Sequence, residues 1–584
     1  MFTRSRLAAL LLLLTFAALP AAAQEFGPGM LPADTSFVIF SRGTAHAETA
    51  YPNNPMVLSS NGPEFADLRA QGINYLARHA DWKINGRPVK FTPAEAELIF
   101  SFLKGPMMLG YWGSLDVSSL AQASAPSTKQ LMDAGGMFLI IDATGKTTQF
   151  DLLFKFIEAN VSKDVTRSRS DFSGVSIEKF AGPNNTSYAT RVGNYFVWSN
   201  QQKVIQDLVS RLGSRTSTAD SLSQNPSYQR CQAKPDPDSI YEMYFRVPDL
   251  TKTSVPGAPG QFDTSAALRT LKLDSLRAAC GSVALTQEGE HARGLILGET
   301  SAGGIVDLFG ANRSHFDTLD LAPASAYSYF SYSFDLPATY KLARAVAMAG
   351  LPEQQASMIQ MVEGVAAMQI GMPLADALAL SSGEFATIQL DPTSTPPSQI
   401  YAVSISNPEK VSTLIHKVGS NSYEEVSKEN GITLFKSKSA APAAANSTDP
   451  AVPTYLAVTP HFLLYATDKQ ALTKAAQSDF AGKSAGRASL LDNPEISKLR
   501  AILPKELLGL SITDYSHYDW AAELTKSIDK SEKADASKLS AEDIQFFDSL
   551  KKFNASKLGK MILRRSVDGW WKDSEGIHYE GFDQ

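Results

Sequence analysis

The second half of this chain echoes the first, and long-period self-similarity constrains a fold more than any local propensity. Tyr195-Phe196-Val197-Trp198-Ser199-Asn200, an apolar strand running into a helix, reads against Leu463-Leu464-Tyr465-Ala466-Thr467-Asp468. Farther on, Ser221-Leu222-Ser223-Gln224-Asn225-Pro226 lies against Ser489-Leu490-Leu491-Asp492-Asn493-Pro494 at the same spacing, so no net insertion separates the two matches. The halves also open alike, with Leu31-Pro32-Ala33-Asp34-Thr35 before one strand and Leu321-Ala322-Pro323-Ala324-Ser325 before another. In the second of these strands, Ala326-Tyr327-Ser328-Tyr329-Phe330, aromatic and small residues alternate, as on a half-buried strand.

Within each half the order strand, helix, several short strands, helix recurs. Met137–Ile141 precedes Phe150, Leu153, Phe154, Ile157 and Val161 at helical spacing. Ile400–Ile405 precedes Asn407-Pro408, a helix start in which Asn caps and Pro fills the first turn. The expected fold is α+β: two related repeats, each a mainly antiparallel sheet covered by helices, over residues 24–315 and 316–584. Ser437–Pro453 and Leu115–Lys129 read as low-complexity loops, and the charge-dense Lys526–Asp543 as a solvated helix or linker.

Residues 1–23 read as a signal peptide. Arg4 and Arg6 precede the apolar Leu7–Leu19, Pro20 breaks the run, and Ala21-Ala22-Ala23 offers a small-residue cleavage pattern before Gln24. The apolar stretch is shorter than the roughly 20 residues of a membrane-spanning helix. The chain is therefore expected in the periplasm or outside the cell, with no membrane span after cleavage. A net charge of −6 without a basic cluster disfavours nucleic acid as a partner.

The chemistry-bearing residues form no recognisable set. Cys231 and Cys280, the only two cysteines, are the candidates for a disulfide in an oxidising compartment; the alternative is two buried thiols. The eight histidines are scattered, and the densest surroundings are those of His517, between Asp514 and Asp519. Ser176-Ile177-Glu178-Lys179 and Ser527-Ile528-Asp529-Lys530 carry the bare Ser-x-x-Lys spacing without companion motifs. Gly145-Lys146-Thr147 lacks the earlier glycine of a phosphate loop, since that position is Ile140. No catalytic, cofactor-binding or metal-binding residue is assigned, and no cofactor is expected. Met348, Met358, Met361, Met368 and Met372 read as core positions of helices rather than an adaptable groove. Trp570-Trp571, after a glycine, is the best candidate for a contact surface.

The signal peptide, the Leu31–Thr35 opening, the strand–helix pairs and the Ser-Leu…Asn-Pro segments together resemble a loose group of large exported bacterial proteins of uncharacterised function. The resemblance implies a repeated α+β architecture and an extracytoplasmic location. The expected function is a non-catalytic binding or scaffolding module of the cell envelope, with an envelope protein or polymer as partner. The alternative is a hydrolase of an envelope polymer with its site between the halves.

Overall fold

The computed structural model describes residues 26–43, 45–55, 57, 63–79, 83–84, 87–88, 98, 101–102, 104–113, 136–146, 148–149, 151–152, 165–182, 186–214, 220–232, 239–248, 262–394, 398–439, 452–481, 488–517, 519–535, 539–553 and 564–584. The expected signal peptide, all of Leu115–Lys129, most of Ser437–Pro453 and most of the helix expected after Met137–Ile141 lie outside the described residues.

The strands in chain order are β1 (Thr35–Ser41), β2 (Lys83–Ile84), β3 (Arg87–Pro88), β4 (Met107–Trp112), β5 (Gly136–Asp142), β6 (Thr166–Phe172), β7 (Val175–Ala181) and β8 (Thr186–Val192). Next come β9 (Tyr195–Ser199), β10 (Ser239–Arg246), β11 (Leu276–Leu285), β12 (Glu290–Gly298), β13 (Ser328–Ser333), β14 (Ser381–Asp391) and β15 (Ser398–Ile405). The last are β16 (Tyr423–Glu429), β17 (Ile432–Ser437), β18 (Tyr455–Val458), β19 (Phe462–Ala466), β20 (Gly509–Asp514), β21 (Arg565–Lys572) and β22 (Gly576–Asp583). Among the described residues, β2 and β3 pair with each other and the rest form one 20-stranded sheet.

All pairings in that sheet are antiparallel. From one edge the order is β6-β7-β8-β9-β5-β4-β1-β10-β11-β12. It continues through β22-β21-β20-β13-β14-β15-β19-β18-β17-β16 to the other edge. This overturns the expectation of two repeats, each with a sheet of its own. β12 pairs with β22 from Glu290–Asp583 to Leu297–Gly576, so the sheet crosses the expected boundary without a break. The physical reason is that a long strand left at an edge exposes unpaired N–H and C=O groups, and pairing β12 with β22 satisfies both edges at once.

Local signals place the helices. Asn225 accepts hydrogen bonds from Ser227 N and Tyr228 N to start the helix Pro226–Cys231, and Asn493 accepts from Glu495 N to start Pro494–Arg500. Asn407 does the same for Pro408–Val418 through Lys410 N. Pro226–Cys231 and Pro494–Arg500 aim their apolar residues at one side of the sheet, and Pro408–Val418 at the other. Val204, Ile205, Leu208, Val209 and Leu212 of Gln202–Ser214 pack with Val38, Met108, Phe138, Ile140, Val197 and Tyr244. Leu472, Ala475 and Ala476 of Lys469–Ala481, with Ile496 and Leu499, pack with Tyr329, Ile388, Ile400, Leu464, Ile512 and Val567. Gly136 is required here, because a Cβ would lie 2.2 Å from the Val204 side chain.

A separate helical cluster ties distant parts of the chain. Phe65 and Leu68 of Pro63–His79 pack with Ile528 of Trp520–Asp535 and with Phe546, Phe547, Leu550 and Phe553 of Ala541–Phe553. The segment expected to be a solvated helix or linker thus buries Ile528 at its start and Asp543 at its end. Asp543 accepts from Ser540 N and Oγ at 2.9 and 2.8 Å, while Lys526, Lys530, Lys533 and Glu542 are exposed. Among the described residues, no helix is long and apolar enough to cross a membrane.

Candidate functional site

One sheet face lies under Gln202–Ser214, Lys469–Ala481 and Pro494–Arg500. The other is covered only in patches, by Pro408–Val418 on Phe435, Leu456 and Leu463 and by Leu98 and Phe102 on Leu139 and Ile141. Between these patches the strand alternation places aromatic side chains. In β13, Tyr329, Ser331 and Ser333 are buried, while Phe330 is 39 % exposed and Tyr332 half-buried. The rings of Tyr579, Trp570, Phe330, Tyr332, Phe385, Tyr401 and Tyr465 follow one another across β22, β21, β13, β14, β15 and β19. Successive centroids are 5.4, 5.8, 5.7, 5.6, 6.5 and 5.8 Å apart. These spacings are those of favourable edge-to-face and tilted aromatic pairs. Register carries the same face across the β12–β22 seam, from Tyr579 through Gly294 and Gly281 to Met243 and Ile39. Met243 is 43 % exposed and Ile39 37 %.

One end of the aromatic run meets a group of carboxylates. Asp568, two residues from Trp570, accepts from the Tyr579 hydroxyl at 2.8 Å and from Ser566 Oγ at 3.1 Å. Gly581 makes room for this contact, since a Cβ there would lie 2.3 Å from Asp568 Oδ1. Glu290 and Asp583 face each other across the seam. Burial first, then the neighbouring Asp583 charge, pushes the Glu290 carboxyl up to about 7. Burial also pushes Asp583 up to about 6; the Ser566 hydrogen bond opposes this and the Asp568 charge adds to it. Asp568 is itself raised, because burial outweighs its hydrogen bonds from Tyr579, Ser566 and Ser511.

On the helix-covered face, the seam holds a cleft of about 400 Å³ lined by Arg230, Glu242, Arg293, Trp571, His578 and Glu580, among others. The Cys231–Cys280 disulfide forms part of its wall and joins the helix Pro226–Cys231 to β11, with the Cα atoms 6.0 Å apart. Glu242 accepts from Arg42, from Ser239 Oγ at 3.0 Å and from Gln232 Nε2 at 3.1 Å. Glu580 Oε1 takes Arg293 Nε at 3.1 Å and lies 2.9 Å from His291 Nε2. Burial alone would raise the Glu580 carboxyl, but these two partners hold it below the usual carboxylate range.

The residues singled out in the sequence scatter over this frame. Trp570 and Trp571 point to opposite faces: Trp570 joins the aromatic run, and Trp571 stacks on His578 in the cleft at 5.0 Å and 4°. Asp514, beside His517, is buried and accepts from Ser516 N and Asn493 Nδ2, so it serves the local turn; the His517 side chain lies outside the described residues. Ser176 and Lys179 sit on β7, and Ser527 and Lys530 on the helix Trp520–Asp535. Gly145, with φ +74°, and Lys146 form a turn after β5, not a phosphate cradle.

Three of the five methionines correct the sequence reading, whereas Met372 packs against a buried cluster. Met358, Met361 and Met368 of Glu353–Ile370 are 59 %, 67 % and 75 % exposed, so they are not core. Polar and apolar residues are both spread around that helix, which leaves no periodicity to say which side packs.

No family model matches this chain, and no curated protein matches it. A solved structure described as "Structure of crystal form I of TP0453" aligns with 50 % of this chain and 90 % of that chain at 8 % identity, with a TM-score of 0.23. At that score the likeness supports no inference about this chain.

Proposed function

We propose that this chain is an exported, non-catalytic binding module of the cell envelope that receives an apolar or aromatic partner on the exposed part of the aromatic face of its sheet. The observation that carries the reading is the seven-ring run from Tyr579 to Tyr465, with Phe330 and Tyr401 exposed at 39 % and 38 %. A contiguous apolar patch on a protein surface marks an interaction site more often than a scattered one, and aromatic rings bring large contact area at small entropic cost. The Met358, Met361, Val362, Val365 and Met368 stripe adds a second, deformable apolar surface. Export rests on Arg4, Arg6, the Leu7–Leu19 run and Ala21-Ala22-Ala23. A disulfide between the two cysteines accords with that compartment.

The test has two arms. Mass spectrometry of the protein recovered from its native envelope is expected to find Gln24 as the first residue; an intact residue 1 defeats the assignment of export. In the second arm, the purified protein is titrated with a naphthalene sulfonate dye that is then displaced by envelope extract. Phe330→Ser with Tyr401→Ser is expected to weaken dye binding at least about tenfold, the loss of one or two aromatic anchors. Equal binding by the variant, or an envelope polymer shortened on incubation, would sink the proposal.

A further inference from the structure

We infer that Asp573, Glu575 and His578 form a binding site for a divalent transition metal at the mouth of the seam cleft, on the side of the sheet away from the aromatic run. The three residues come from one hairpin. Asp573 and Glu575 belong to the turn between β21 and β22, and His578 lies in β22. One ligand atom from each lies within 4.8 Å of the others.

Three features make this a built arrangement rather than a chance meeting of surface charges. The turn is pinned: Asp573 N donates to Gly576 O at 3.1 Å, and Glu575 N donates to Asp573 Oδ1 at 2.8 Å. From outside the hairpin, Thr300 Oγ1 donates to Asp573 O at 2.6 Å and Gly298 N to Glu575 O at 3.1 Å. The imidazole is oriented as well, because Trp571 and His578 are cross-strand partners with parallel stacked rings. Finally, His578 Nε2 is buried and faces Asp573 Oδ1 at 2.9 Å, so two of the three ligand atoms already converge on one point. A cation between them would replace this His–Asp contact.

The distances suit a small ion. Metal–nitrogen and metal–oxygen bonds of about 2.0–2.2 Å place tetrahedral ligand atoms roughly 3.4 Å apart. Side-chain rotations at two exposed carboxylates close the remaining gap without moving the backbone. One imidazole with two carboxylates favours zinc, manganese or nickel over calcium or magnesium, which prefer all-oxygen sets. Three protein ligands leave a coordination position open, and Glu575 and His578 both line the cleft. A ligand entering the cleft can therefore reach the metal.

Isothermal titration of the chelator-treated, untagged protein from Gln24 onward with zinc chloride, and separately with manganese chloride, tests this. One zinc per chain is expected to bind. Asp573→Asn, Glu575→Gln and His578→Ala are each expected to weaken binding at least tenfold. Glu575→Gln changes an exposed turn residue, so its loss of affinity is separable from misfolding. As a second readout, cobalt or nickel is expected to quench part of the tryptophan emission, and Trp571→Phe to abolish that part while leaving one metal per chain. Absence of zinc binding by the unmodified protein, or unchanged affinity in all three ligand variants, overturns the assignment.

Discussion

Replacing Glu290 with glutamine is expected to stabilise the protein at pH 8 and to flatten its pH dependence. The folded protein holds the Glu290 proton more tightly than the unfolded chain does, because its carboxyl is pushed from 4.5 up to about 7 by burial and by Asp583 across the seam. The linked stability is therefore fully present below about 4.5 and is lost as pH rises through about 7. Each pH step between those two values is worth about 1.4 kcal/mol, so the full loss is roughly 3 kcal/mol. Glu290 keeps part of its surface in contact with water, and screening there trims the figure to about 2 kcal/mol. Asp583, pushed up to about 6, adds a loss of the same sign over a lower window, beginning at its ordinary 3.8. With an unfolding entropy of about 2.1 cal/mol/K per residue, 2 kcal/mol corresponds to only about 2 °C in a chain this long. Urea titration at pH 5.5 and at pH 8 is thus a better assay than melting. The unmodified protein is expected to be more stable at pH 5.5, and Glu290→Gln to remove most of that difference by raising stability at pH 8. If Glu290→Gln has the same stability as the unmodified protein at pH 8, the buried-carboxylate account of the seam is wrong.

Two further perturbations test other joints of the fold. Cys231→Ser with Cys280→Ser opens a loop of 49 residues of sequence separation, and loop entropy predicts a loss of about 4 kcal/mol, with 2–4 typical; an unchanged urea midpoint would contradict it. Glu384 is fully buried, accepting from Asp317 N at 3.0 Å, Thr318 N at 2.9 Å and the Thr318 hydroxyl. Glu384→Ala strands these donors and is expected to cost about 3–5 kcal/mol by chemical denaturation, whereas a cost under 1 kcal/mol would show that water replaces the carboxylate.

Much of the local structure was legible. Asn407 was readable as a helix start because capping depends only on the residue and its next few neighbours. The turn at Gly193-Asn194 between β8 and β9 was readable for the same reason. The aromatic face was half legible. Alternation in β13 separates Tyr329 from Phe330, but both are aromatic, and which one is buried depends on helices more than 100 residues away in sequence. The hairpin trio does not show in the spacing of the histidines, because its other two ligands are carboxylates of the turn. Asp573, Glu575 and His578 meet only through the register of β21 with β22.

By itself, the sequence determined the order of strands and helices, their caps and turns, and which residues of a strand share a face. These follow from interactions among residues a few positions apart. Tertiary structure alone decided that β12 and β22 join the strands into one sheet, and which aromatic side chains stay exposed between the helices that cover one face fully and the other in patches. Pairing an edge and covering a face are choices between distant segments, and their energies come from burial and hydrogen bonding that no short stretch of sequence contains.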